Sequence, residues 1–212
     1  MLLLVGLGNP GPEYTGNRHN VGAMAVDAII DRCGLSQLRT RMRPSGTFSD
    51  GRIGPEKVTV LKPKTFMNES GRAVGEAMRY WRLEEDQVIV FHDDLDLEPG
   101  KVRVKRGGGH GGHNGLRDID NHIGRDYLRV RIGIGHPGDK NQVEGYVLRD
   151  FAKSDQEWLV KMLDAIADAA ELLVAGDDAG FMSKIACTVN PPRTHKPKPK
   201  PEDDATANGT DS

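Results

Sequence analysis

Stretches with the two-residue period of strands and stretches with the period of helices interleave along most of this chain, but not in strict strand-helix-strand repetition. That mixture restricts the fold to the α/β class with one sheet. Leu2 to Leu7 is an apolar run ended by a Gly-Asn-Pro-Gly turn and reads as a buried first strand. "NVGAMAVDAIIDRCG" places Met24, Ala25, Ala28 and Ile29 on one helical face and stops at Gly34. Thr47 to Ile53 and Val58 to Leu61 read as a strand pair, and from Ser70 to about Arg82 the residues Val74, Ala77, Met78 and Trp81 share a helical face. "VIVF" is a buried strand, "KVRVK" a half-exposed one, "LRDIDNHIG" a short helix and "YLRVRIGI" another strand. Ser154 and Glu157 have capping-box spacing and predict a helix to about Ala175, with a short helix following over Phe181 to Ala186. The expectation is a single domain over residues 1–190, a mixed, twisted sheet covered by helices on both faces. From Pro191 the chain becomes Pro-rich, charged and almost free of apolar residues, so 191–212 is expected to be a disordered tail.

Composition narrows the functional classes. The opening apolar run lacks a basic flank and ends at a turn, which argues against a signal peptide. No stretch approaches the roughly 20 apolar residues of a membrane span. The two cysteines, Cys33 and Cys187, form neither a CxxC pair nor a disulfide framework, and the expected location is the cytoplasm. Net charge is only −2, yet it is unevenly spread. Glu98 to His136 holds eight Lys/Arg against four acids, whereas Asp150 to Asp178 holds eight acids against Lys153 and Lys161. A local basic patch can bind phosphate on an acidic protein, because fields are screened within about 10 Å at physiological salt.

Two familiar chemistries fail on inspection. "GLGNPG", Gly6 to Gly11, has dinucleotide-fingerprint spacing, but that motif requires a helix opening at its last glycines, and here Pro10-Gly11-Pro12 intervenes. His110 and His113, with His92 and Asp93, could chelate a metal, but HxxH in a glycine loop leaves the geometry undetermined. No serine sits in a nucleophile elbow, and Cys33 falls inside the first helix. A hydrolase of this sequence would use water, which needs a base, a donor for the developing oxyanion and substrate clamps. Polar residues do gather at element ends, where α/β proteins place chemistry: Asn9, His19 with Asn20, Asn68, Asp93 and Asn114.

The blocks "VGLGNPGPEY", "RHNVG", "KPKTFMNESG", "HDDLDLEPG", "GGGHGGHNGLRDI" and "RIGIGHPG" together resemble the bacterial-type peptidyl-tRNA hydrolase family, in order and spacing, from Val5 to Gly138 and more weakly to about Asn190. The resemblance implies a metal-independent, cofactor-free enzyme, a monomer, that cleaves the ester between peptide and tRNA. By resemblance His19 is the general base, Asp93 its orienting carboxylate and Asn9 a third catalytic residue. Asn68 and Asn114 are substrate-contacting amides, and Tyr14 and Phe66 line the acceptor-end site. Arg103, Lys105 and Arg131 would hold a tRNA phosphate. Alternation supports that clamp, placing Lys101, Arg103 and Lys105 on one open strand face and Arg129 and Arg131 on another. The six glycines of "RGGGHGGHNG" then serve to let backbone approach the substrate while delivering Asn114, with His113 structural. One departure is Asn17, where the family usually has Thr. A noncatalytic RNA-binding protein would explain the arginines but leave His19 and Asp93 idle, and a metal-dependent esterase would explain the histidines but not the asparagines.

Overall fold

The computed structural model describes residues 1–190, so the expected tail at 191–212 lies outside the described residues. Seven strands form one sheet in the order β2-β3-β4-β1-β5-β7-β6. They are β1 (Leu2–Gly6), β2 (Arg39–Arg41), β3 (Gly46–Ile53), β4 (Glu56–Pro63), β5 (Val88–Asp94), β6 (Val102–Arg106) and β7 (Leu128–Gly133). The four central strands, β4, β1, β5 and β7, run parallel, while β2, β3 and β6 pair antiparallel to their neighbours. This is the mixed α/β sheet expected.

Helices cover both faces, as the near-continuous apolar character of the central strands requires. On one face lie α1 (Val21–Cys33), α5 (Gln156–Val174) and α6 (Asp178–Val189), packing Val26, Ile29, Ile166 and Phe181 against Leu4, Phe91 and Val130. On the other lie α2 (Ser70–Trp81) and α3 (Asn114–Ile123), packing Val74, Ala77, Leu116 and Ile119 against Leu3, Val5 and Val90. A short α4 (Val143–Val147) completes the set. Because α1 and α2 leave the sheet on opposite faces, a crevice opens past the carboxyl ends of β1, β4 and β5, the usual ligand position in such sheets.

The entry to α1 is set by close packing. A Cβ at Gly22 would collide with the carbonyl oxygen of Phe91 in β5, so only glycine lets the helix settle this near the strand. The Leu7 amide donates to that same Phe91 oxygen, and the Ala23 amide donates to the Leu7 oxygen. Helix α1, β5 and the end of β1 are therefore fixed to one another immediately beside the crevice.

The start of α5 differs from the expected capping box. Glu157 pairs instead with Lys161 one turn on, and Asp155 holds the turn before the helix, accepting from the Ala152 amide at 2.9 Å and from Trp158 Nε1 at 3.3 Å. A carboxylate already held at the helix mouth by Arg18 leaves the serine hydroxyl no role there.

Candidate active site

The crevice is a cleft of about 1010 Å³ whose lining includes Asn9, His19, Asn68, Asp93 and Asn114. Five residues separated by up to 105 positions are thus brought together by the carboxyl ends of three strands. Asn9 follows β1; His19 sits on the single helical turn Arg18–Asn20 that leads into α1; Asn68 lies on the turn Met67–Glu69 after β4; Asp93 is near the end of β5; and Asn114 begins α3.

His19 and Asp93 are bonded, Nδ1 to Oδ1, at 2.8 Å, with both residues buried. Burial pushes the Asp93 carboxyl up, but the charges and hydrogen bonds of His19 and His113 outweigh it and hold the group far below the usual carboxylate range. Asp93 is therefore an ionised acceptor, and His19 keeps its proton on Nδ1. That leaves Nε2 with its lone pair free, and among the described residues no protein group bonds it. For His19, burial lowers the pKa, and the charge and hydrogen bond of Asp93 more than reverse this, so the imidazole is more basic than an ordinary histidine.

His113, expected to be structural, caps α3 and also reaches Asp93. Its Nδ1 accepts from the amides of Gly115 and Leu116 at 3.1 and 3.3 Å, serving as the N-cap of α3. A nitrogen that accepts carries no proton, so the proton sits on Nε2, which donates to Asp93 Oδ1 at 3.0 Å. One carboxylate oxygen thus receives two imidazoles, whose ring centroids stand 4.7 Å apart. Sequence spacing could place His113 in the loop but not aim it at Asp93. His92 packs edge-on against His113 and donates from Nδ1 to the Asp93 carbonyl; burial, then the neighbouring His113, lowers its pKa to about 3, so it stays neutral.

The constellation His110, His113, His92 and Asp93 does not assemble as a chelate. His110 turns Nδ1 onto the Gly112 amide of its own loop, and both His113 nitrogens are engaged as above. The donors that do converge are His19, Asp93 and His113, within 4.8 Å of one another. Their spacing is explained by two hydrogen bonds that a cation would have to displace.

Two of the asparagines are oriented by bonds to their side-chain oxygens. Asn9 Oδ1 accepts from the Met67 amide at 2.8 Å, which turns its Nδ2 donor away from that contact. Asn20, an element-end residue with no assigned role, holds the Asn9 backbone from both sides: its Oδ1 accepts from the Asn9 amide and its Nδ2 donates to the Asn9 carbonyl. Asn114 Oδ1 accepts from Arg117 at 2.8 Å, again leaving the amide nitrogen as the free end. Asn68 is exposed at the rim beside Phe66, which is 56% exposed. Tyr14 stands outside the lining of this cleft, on the tight turn Pro12–Tyr14, and its carbonyl accepts from the Asn17 amide. Asn17, the departure from the family pattern, makes no side-chain cap; its Nδ2 donates to Asp150 at 2.7 Å.

The basic residues divide. Arg103 and Lys105 on edge strand β6 are exposed, and Lys105 lines the cleft while Arg103 stands outside its lining. Arg103 lies directly across from Arg131, and Lys105 from Arg129. Arg131 is partly buried and bonded to Asp94 at 2.7 Å. Arg129 is not on an open face at all: it is 2% exposed. Alternation correctly placed it beside Arg131, but α3 and the glycine loop cover that position.

Among the described residues no helix is long and apolar enough to cross a membrane. A profile of the peptidyl-tRNA hydrolase family matches residues 3–195. The peptidyl-tRNA hydrolase of Rhodospirillum centenum is 57% identical over 193 residues, covering 91% of this chain and 84% of that protein. That of Dinoroseobacter shibae is 56% identical over 207 residues, covering 98% and 87%. The crystal structure of peptidyl-tRNA hydrolase from Acinetobacter baumannii superposes with a TM-score of 0.82 at 41% identity, covering 87% of this chain and 94% of that one.

Proposed function

From this chain's membership of the peptidyl-tRNA hydrolase family, we propose a water-based mechanism centred on His19. The reaction is hydrolysis of the ester that joins the peptide to the terminal ribose of tRNA. The observation that carries the mechanism is the 2.8 Å bond between His19 Nδ1 and an ionised, buried Asp93, which fixes the tautomer that leaves Nε2 as a base.

Nε2 takes a proton from water as the water oxygen attacks the ester carbonyl carbon. The carbonyl oxygen gains negative charge and accepts a hydrogen bond from Asn9 Nδ2, the end left free when Asn9 Oδ1 accepts from the Met67 amide. As the carbon–oxygen bond to ribose breaks, the ribose oxygen takes the proton back from Nε2, and the peptide leaves as a carboxylic acid that then loses its remaining proton to solvent. Asp93 remains ionised throughout and stabilises the transient imidazolium. Asn68 and Asn114 pair with the peptide backbone, since an amide donates and accepts without adding charge, and Phe66 offers its exposed ring to the acceptor end. Cytoplasmic action as a monomer belongs to the same reading. Incubation with N-blocked aminoacyl-tRNA tests it: release of free tRNA is expected, and binding without cleavage would leave a noncatalytic RNA-binding protein.

In this mechanism the histidines act as hydrogen-bond donors to Asp93 and not as ligands. Dialysis against a strong chelator is therefore expected to leave kcat unchanged. Activity lost and then restored by zinc or manganese would favour the metal esterase.

Arg103, Lys105 and Arg131 form the proposed phosphate clamp. Like charges directly across a strand pair repel, and among the described residues Asp94 pairs with Arg131 and not with Arg103, so an anion between Arg103 and Arg131 relieves the repulsion. Log affinity for tRNA falls with log salt by roughly 0.7 to 0.9 per phosphate contact. Arg103→Ala is expected to flatten that slope by about one contact and to leave cleavage of a minimal ester without the tRNA body unchanged. An unaltered slope in a salt titration would remove Arg103 from the clamp.

A further inference from the structure

The loop that runs from β6 to α3 has little of its own to hold it. Gly107, Gly108, Gly111 and Gly112 all adopt positive φ, between 55° and 102°, and such residues lose the most freedom on ordering. Yet this loop ends in His113, which bonds Asp93, and Asn114, which lines the cleft. Between residues 108 and 112, among the described residues, the side-chain bond from outside the loop comes from Arg129, whose Nη1 donates to the Gly109 carbonyl at 2.8 Å. The same guanidinium reaches α3: its Nη2 pairs with Asp120 Oδ1 at 2.8 Å, and Tyr127 donates to that oxygen at 2.7 Å while its ring lies under the guanidinium at 4.5 Å.

We propose that Arg129 is a positioning residue for the hydrolysis, tying the glycine loop and the helix it feeds to the sheet so that His113 and Asn114 are presented in one arrangement. It touches no reacting atom. Its planar fork is what the role requires, because two partners in different elements are held by one rigid group. For Asn114 the inference rests on the reading that it contacts substrate; for His113 it rests on the observed bond to Asp93.

Arg129→Lys keeps a positive charge beside Asp120 but cannot span both partners as a rigid fork. The variant is expected to lose on the order of 10- to 100-fold in kcat/KM, the scale of a misplaced contact distant from the chemistry. Amide hydrogen exchange at residues 107–113 is expected to rise by roughly tenfold or more, while the strands keep their protection. In the Asn114→Ala background the Arg129→Lys loss should shrink well below its value in the wild type, because two residues acting through one contact are not additive. The double variant Arg129→Gln/Asp120→Asn removes both buried charges together, so neither is left alone, and is expected to show the same loop exchange. Unchanged exchange in the loop overturns the proposal, as does full additivity with an Asn114→Ala variant that itself slows turnover. If Asn114→Ala alone costs nothing while Arg129→Lys both frees the loop and slows turnover, the reading of Asn114 fails and the tie stands, acting through His113.

Discussion

His19→Ala is expected to lose kcat by roughly 10²- to 10⁴-fold while binding of peptidyl-tRNA stays near that of the parent. The loss is expected to be confined to chemistry because the proposed role of the ring is one function, a lone pair on Nε2, and the proposed phosphate clamp lies elsewhere, on β6 and β7. The parent's pH profile carries the same signature. With Asp93 beside it, His19 is more basic than the ordinary 6.5, so the neutral, competent form is lost as pH falls through a value above 6.5. The acid limb of kcat/KM should therefore be centred above that value. Single-turnover cleavage at saturating enzyme separates the step from binding, and near-normal turnover of the variant would dismiss His19 as the base.

Asp93→Asn is expected to cost a loss of the same order, within roughly 10²- to 10⁴-fold, and the double variant no more than either alone, as for residues that act as a unit. An amide can donate to the imidazole as readily as accept, so the tautomer with its lone pair turned away from the cleft becomes available. The pH profile gives an independent reading. Removing the carboxylate removes what raises the His19 pKa and leaves burial, which lowers it, so residual activity should persist to lower pH than in the parent. The stability consequence has the opposite sense for the parent. Its Asp93 pKa is depressed below 3.8 in the folded state, so the contribution is complete above roughly pH 5 and is lost as pH falls. The variant should show a shallower decline on acid titration. A profile unmoved from the parent's would mean that Asp93 does not set the basicity of His19.

Much of this architecture can be read from residue patterns. Periodicity located β1, α1, the β3–β4 pair, α2, β5, β6 and β7, because each buries one face or both, and burial is what writes a period into sequence. It did not locate β2, whose Arg39–Arg41 is a short edge strand with little buried, nor α4, which has only five residues. It shortened α6, whose observed span is Asp178–Val189, because only Phe181 and Ile185 are buried along it. Within the site, the resemblance supplied residue types in order, and the fold brought His19, Asp93, Asn9, Asn68 and Asn114 to one cleft. What sequence could not supply was cover and aim. Period two says that Arg129 and Arg131 share a face, but whether another element lies on that face depends on α3 and the glycine loop. In the same way, Ser154 and Glu157 have the spacing of a box, and a tertiary contact from Arg18 gives the position to Asp155.

Replacing a glycine inside a helix by alanine is a common route to a hardier protein, worth about 0.4–1 kcal/mol where the backbone permits it. Gly22 sits in α1 with no positive φ and by that rule would be a first choice for engineering. It is the wrong choice. The methyl group would enter the space of the Phe91 carbonyl, two residues before Asp93, and the helix that begins just after His19 would have to back away from the strand. An alanine there would trade a small gain in helix propensity for a wider gap between His19 and Asp93. Thermostabilised versions of this enzyme should therefore be sought at helix positions away from this seam.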